Sequence, residues 1–237
     1  MILINNYIVN NYIMKNLLIL FIVLIVASIT ASIYYEGFMT DIEYVQSPHD
    51  NRFYLVRNLP DKVEAAGLLS VIRARLTLFV HHLKKIYPND RRITRLFNNF
   101  NPNQISESTP DSKYTSYSIN KGEKIVFCVR QRNDLNELVD LNTMMFVAIH
   151  ELSHLMTLSV GHTKEFWENM KFLLKEALSE KIQLYNYQPF HHEPQPYCGT
   201  MITDTPLKLE DEINIDDLQP SPQVIIEPKN ATISSIV

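Results

Sequence analysis

The chain has 237 residues, 46% of them hydrophobic, and its 22 Lys and Arg against 26 Asp and Glu give a formal charge of -4. That length buries one core with extensions rather than two independent domains. The acidic balance, with no clustered basic arm, excludes a protein that coats nucleic acid, because displacing counterions from phosphates needs dense Lys and Arg.

The first element is the uncharged stretch 17–35, LLILFIVLIVASITASIYY, preceded by Lys15. Its length is close to the roughly 20 apolar residues that span a bilayer. Small residues from Ala27 to Ser32 offer a cleavage site, so a signal peptide is the competing reading. The apolar run is longer than the usual signal core, and the expectation is an uncleaved membrane anchor over 16–35 behind a leader, 1–15. Lys15 precedes the span and Glu36, Asp41 and Glu43 follow it. The positive-inside tendency then leaves the N-terminus cytoplasmic and the rest of the chain on the opposite side.

From about Gln46 the composition turns globular. Val63, Ala66, Leu69, Ile72, Leu76, Phe79, Val80 and Leu83 recur at three- and four-residue steps, which predicts an amphipathic helix over 61–87. His81 and His82 near its end read as a solvated pair. A shorter helix follows Pro88, from Arg91 to Phe100, and its arginines read as a solubility face. Residues 101–112, rich in Asn, Ser and Pro, read as a surface loop. Two strands, 114–119 and 124–130, flank Asn120-Lys121-Gly122-Glu123, whose glycine suits a tight reversal, so this piece is a hairpin. Residues 141–160 are helical, with Gly161 as the stop. Thr163 then caps a further helix running through Phe166 and Leu174 to about Tyr185. Prolines 189, 194 and 196 and Cys198-Gly199 read as an ordered wrap closing near Pro206. The remaining 206–237 is acidic, poor in aromatics and reads as a disordered tail with a glycosylation sequon at Asn230.

The two cysteines, Cys128 and Cys198, are too few for a CxxC metal site or a dense disulfide framework. The plain reading is two buried free thiols, and a single bridge gains weight if the domain faces an oxidising compartment.

The chemistry-bearing motif is His150-Glu151-Leu152-Ser153-His154, inside the apolar helical run 144–149. Four residues make about one helical turn, so His150 and His154 project from one face and can share a metal ion. Glu151 is turned about 100° around the axis, where its carboxylate can reach a water beside the metal rather than the metal itself. A catalytic zinc takes three protein ligands and keeps one position open. His162 is the expected third ligand, because a break at Gly161 lets the chain turn back. Glu165, Glu168 and Glu176 on the following helix are the alternatives. Burying imidazoles and a carboxylate among Met145, Ile149, Leu152 and Leu155 is costly unless a metal pairs with them.

HELSH followed by Gly161-His162-Thr163-Lys164-Glu165-Phe166-Trp167 resembles the WLM and SprT-like zinc metallopeptidases, the Spartan group with the related bacterial YgjP-type proteins, where Phe or Phe-Trp follows a third histidine. The resemblance covers about 125–178. It implies His150, His154 and His162 as zinc ligands, Glu151 as catalytic base, and Phe166 and Trp167 as an aromatic pair packing the last helix on the core. Seven residues separate His154 from His162 here, against usually about five in such sequences. The DNA-directed members use separate basic or zinc-ribbon elements, none of which is visible in this chain.

The expected fold is therefore α+β, a zincin-like domain over 45–205 whose small antiparallel or mixed sheet packs on the HExxH helix, plus the N-terminal transmembrane helix. Strand 125–129 is expected at the sheet edge, where an extended peptide can pair. The expected function is a membrane-anchored zinc metalloendopeptidase acting on a protein or peptide substrate, with no direct nucleic-acid binding. Tyr185, Tyr187 and Tyr197 are candidates for an oxyanion donor. The alternative function is a membrane-anchored protein whose zinc is structural and closed by four ligands.

Overall fold

A computed structural model of the chain describes residues 2–179 and 182–207, with the side chains of 13–34, 41–179 and 182–207. The acidic tail and its sequon therefore lie, from residue 208 on, outside the described residues. Helix α1 spans Ile2–Thr40, and its segment Ile13–Tyr34, with a mean hydropathy of 2.7 and no residue buried, is long and apolar enough to cross a membrane. Length and composition meet the bilayer criterion here, as they do for a signal sequence.

The rest of the described chain is a mixed α+β assembly. A hairpin of β1 (Ile42–Gln46) and β2 (Phe53–Arg57) comes first, followed by α2 (Lys62–Ile86) and α3 (Arg91–Asn99). The three-stranded sheet has the order β3 (Ile105–Glu107), β5 (Lys124–Phe127), β4 (Tyr117–Ile119), with β3 parallel and β4 antiparallel to β5. Two further helices, α4 (Leu141–Met156) and α5 (Lys164–Leu178), and the hairpin of β6 (Gln195–Tyr197) and β7 (Thr200–Ile202) complete it. Helix α4 lies at the centre, packed against α2, α3, α5 and β4. Nearly all of its residues are buried, which is why its sequence is an apolar run rather than a stripe.

Several expectations are corrected. Strand β5 is the middle strand, not the edge, and the outer strands are β3 and β4. The loop expected over 101–112 contains β3, a strand that the sequence hides because Ser106 and Glu107 are polar yet buried. The β1–β2 hairpin starts before Gln46 and was likewise not anticipated. Helix α4 ends at Met156 rather than Val160, and α5 ends at Leu178 rather than near Tyr185. The cysteines are not free thiols: Cys128, just after β5, is bonded to Cys198 in the β6–β7 turn, 70 residues on. Both turn residues of that hairpin, Cys198 and Gly199, have positive φ (51° and 77°), as a two-residue reversal of right-handed strands requires.

Glu107 is buried for a specific reason. Its Oε1 accepts from Arg130 Nε at 2.8 Å and its Oε2 from the Arg57 amide at 2.8 Å, while Arg130 Nη1 also reaches Asp61 at 2.5 Å. Arg130 and Glu107 are both almost fully buried, so this pair stitches β2, β3, the end of β5 and the start of α2 in a dry interior. Removing one partner strands the other charge, which in such settings costs about 3–5 kcal/mol. Glu107→Ala is accordingly expected to lower unfolding stability by about 3–5 kcal/mol in denaturant titrations of the detergent-solubilised chain. A loss under about 1 kcal/mol would mean that the pair contributes no more than a surface ion pair.

Candidate metal centre

Helix α4 is started by Asp140, whose side chain accepts from the Thr143 amide, and it carries His150 and His154 one turn apart toward its C-terminal end. Their rings face each other with centroids 5.0 Å apart and Nε2 atoms 3.2 Å apart. After the helix, Gly161 adopts φ +83° with open space around it, and the chain turns back. That reversal brings His162 Nε2 to 3.0 Å from His150 Nε2, with its ring centroid 4.9 Å from His150 and 5.1 Å from His154. The ligand atoms of the three histidines all lie within 4.8 Å of one another.

Three ring nitrogens facing one point pose a hydrogen-bonding problem. Each neutral imidazole nitrogen offers one proton or one lone pair, never both. His150 Nε2 faces two partners and can satisfy one, so a nitrogen is left without a proper partner unless a cation takes all three lone pairs. Ligand nitrogens at about 2.0–2.1 Å around a tetrahedral zinc lie roughly 3.3 Å apart, close to the two separations seen here. The residues present thus fit a divalent metal ion. Phe166, fully buried, sits 4.4 to 4.9 Å from the centroids of all three rings and fixes their tilt. Trp167 departs from the expected core role: it is 44% exposed and flanks His162 at 5.5 Å.

Glu151 points into the same cleft. Its side chain is buried and its Oε2 has no hydrogen-bond partner. Burial pushes its carboxyl up to about 8. Burial, followed by the neighbouring histidines, pushes His150 down to about 3. For His154, burial, then His162 and Lys121, give about 4. The two imidazoles are therefore kept neutral, the form that ligates metal.

The alternative ligands are engaged elsewhere. Glu165 accepts from the amides of Leu158 and Ser159 and from Ser159 Oγ. Glu168 lies 3.7 Å from Lys164 on the exposed face, and Glu176 accepts from Tyr87 Oη at 2.7 Å. Of the tyrosines, Tyr197 lines the cleft, hydrogen-bonded to Ser116, while Tyr185 is buried in the core. His81 Nδ1 donates to the Thr77 carbonyl at 2.8 Å and its ring packs edge-on to Phe97, outside the trio. The cleft, about 890 Å³, runs between the trio and the free edge of β4 and is closed by Phe146, Tyr197, Ile202 and Asp204. Tyr197 was a candidate from the sequence, whereas Phe146, Ile202, Asp204 and Lys121 were not singled out as site residues, since nothing local marks a residue as facing a cleft built from distant elements.

Among known proteins, a family model described as the WLM domain matches residues 79–219. Protein R325 of Acanthamoeba polyphaga mimivirus, itself uncharacterized, is 33% identical over 173 residues, covering 71% of this chain and 86% of its own length. Protein 136R of Invertebrate iridescent virus 6, also uncharacterized, is 26% identical over 141 residues, covering 56% and 76%. Among solved structures, a mutant of Wss1 from Saccharomyces cerevisiae aligns with a TM-score of 0.41 at 23% identity, over 55% of this chain and 91% of that one.

The shifts above set a pH profile for chelator-treated protein. The depressed His150 and His154 make the unfolded chain the better proton acceptor, so their contribution is full above about 6.5 and is lost as pH falls toward about 4 and 3. The raised Glu151 makes the folded chain the better acceptor, so its contribution is present below about 4.5 and is lost as pH rises through about 8. Between about 4.5 and 6.5 the unfolded chain binds one proton more, and between about 6.5 and 8 one fewer. These three groups therefore place a stability maximum near pH 6.5, and thermal midpoints against pH for wild type and Glu151→Gln check it: the alkaline decline should vanish in the variant. A decline that persists would place its source elsewhere.

Proposed function

The chain belongs to the WLM domain family, and from that premise we propose that it is a membrane-anchored zinc-dependent endopeptidase with a zincin-like catalytic unit. In this reading residues 16–35 are the anchor, about 45–205 form the catalytic unit, and His150, His154 and His162 hold the metal. The observation that carries it is the convergence of three imidazole nitrogens beside a buried carboxylate oxygen that has no other partner, in a cleft bordered by an unpaired strand edge.

A zinc ion in this donor set supplies a Lewis acid for the scissile carbonyl and lowers the pKa of a water. The chain's own residues do the rest. The outer edge of β4 offers main-chain groups to an extended peptide, which fixes the peptide's direction across the cleft. Glu151, which lines the same cleft but stands outside the ligand group, takes a proton from the attacking water and passes it to the leaving amine. Its raised carboxyl suits both directions of that transfer near neutral pH. Tyr197, held by Ser116 on the cleft wall, is the best-placed of the three tyrosines to steady charge on the carbonyl oxygen.

The rival reading is a structural zinc site closed by four ligands. Against it, the ligand group has three members among the described residues and opens onto a cleft large enough for a peptide. The Cys128–Cys198 bond supports placing the catalytic unit on the oxidising side of the membrane, as the charges around the anchor imply.

Glu151→Gln is expected to retain metal and to lose at least about 100-fold in cleavage of a casein-like protein, the scale of a lost general base. Cleavage at the wild-type rate would remove Glu151 from the mechanism. His162→Ala should lower metal content sharply by metal analysis, and an unchanged stoichiometry would return the third-ligand role to a glutamate. For the topology, chain isolated from membranes under thiol-blocking conditions should change gel mobility on reduction; a chain whose two cysteines are both alkylated beforehand would put the catalytic unit in a reducing compartment.

A further inference from the structure

Along the segment that leads from α4 to His162, side chains from three other elements take the main-chain groups of residues 155–159 in sequence. Asn99 Nδ2 donates to the Leu155 carbonyl at 3.2 Å and Arg95 Nη1 to that of Met156 at 2.5 Å, both from α3 or its end. Lys121, at the tip of the β4–β5 hairpin, then donates from its one ammonium to three carbonyls in a row: Thr157 at 2.9 Å, Leu158 at 3.2 Å and Ser159 at 2.7 Å. The amides of Leu158 and Ser159 donate in turn to the two oxygens of Glu165, at 3.1 and 3.2 Å.

This arrangement answers a problem that this chain sets itself. A helix end leaves its last carbonyls without partners, and each added loop residue brings backbone freedom that must be lost on ordering. The link from His154 to His162 is seven residues long. An ammonium has three protons to give, and all three go to the middle of that link, at the C-terminal end of α4 where a cation is also favoured by the helix dipole. Ser159 is further tied to Thr163, the N-cap of α5, through their hydroxyls at 2.6 Å. Only residues 160–162 then remain to be placed, between a pinned Ser159 and a capped helix start. Val160 is 86% exposed and Gly161 has open space, so the backbone of His162 is placed by the base of this short loop, while Phe166 and Trp167 pack on its ring.

Lys121 is itself held in place. Asn120 and Lys121 have φ of 46° and 57°, and a Cβ at Gly122 would run into the Asn99 carbonyl oxygen, so the hairpin tip is wedged against the end of α3. We propose that Lys121, with Glu165 as its counterpart on the amide side, is a positioning residue that delivers His162 to the other two histidines. It acts through the 157–159 backbone, from the wall of the cleft and outside the ligand group. The inference rests on the ligand set of the proposed peptidase and goes beyond it by naming what makes the third ligand available.

The test uses the detergent-solubilised full chain and three variants, Lys121→Met, Lys121→Arg and Glu165→Gln. Lys121→Met keeps the apolar stem and removes the three donors. Zinc affinity, measured by competition with a chromophoric chelator, should fall by about 10- to 100-fold, the range seen when an outer partner of a ligand is lost. The visible absorption of the cobalt-loaded protein should change as one imidazole is misplaced, and Lys121→Arg, which restores donors to carbonyls, should recover much of both. Glu165→Gln should weaken affinity in the same direction, which keeps the idea testable if Lys121→Met does not fold. A folded Lys121→Met or Glu165→Gln with wild-type affinity and an unchanged cobalt spectrum overturns the proposal. So does a loss that Lys121→Arg leaves uncorrected. Wild-type chain that takes up no metal would instead sink the peptidase reading on which this one stands.

Discussion

Three imidazole nitrogens aimed at one point inside an apolar pocket cannot satisfy one another, and the whole site is organised by that constraint. His150 alone faces two nitrogens at about hydrogen-bond distance. Phe166 packs against all three rings from the core side, while the trio opens onto the cleft and His162 is exposed. Burial of each group keeps His150 and His154 neutral and Glu151 protonated longer than usual. A divalent cation resolves the conflict at once, because it accepts every lone pair and favours the charged form of the neighbouring carboxyl.

Holding such a cluster requires a rigid frame, and the frame is mostly electrostatic on one side and apolar on the other. The apolar side is α4 itself, clasped by α2, α3 and α5. On the electrostatic side, buried Arg130 and Glu107 join strands and the start of α2, and the disulfide ties the end of β5 to the hairpin that carries Tyr197. In the chain-entropy picture, closing a loop of 70 residues is worth roughly 4 kcal/mol. The disulfide acts beside Tyr197 and so ties down the wall of the cleft that this residue forms. Of the sheet's two outer strands, β3 and β4, it is β4 that borders the cleft and can offer its edge to another strand there.

How much of this was readable in advance varies with how local its cause is. Helices α2 and α3 begin and end within a residue or so of their expected limits, because periodicity and the flanking Asp and Pro residues are properties of neighbouring positions. The β4–β5 reversal and the Thr163 cap were legible for the same reason. Strand β3 was not, since Glu107 is buried through Arg130, more than twenty residues away, and Ser106 through the pairing of its strand with β5. The end of α4 was misplaced because glycine is not what stops it: carbonyls 155–159 are taken by Asn99, Arg95 and Lys121, and the helix gives way four residues before Gly161.

The amino-acid order by itself determined the apolar N-terminal helix, the mixed α+β character, the motif on a buried helix and the turn that sends the chain back toward it. Each of these depends on residues within a turn or two of one another. Tertiary structure alone decided that β4 rather than β5 is the free edge, that Cys128 meets Cys198, and that Glu165 steadies a loop while His162 joins the other histidines. Those outcomes turn on which distant groups become neighbours once water is excluded, and in a dry interior the pairing of polar groups, not their order along the chain, sets the energy.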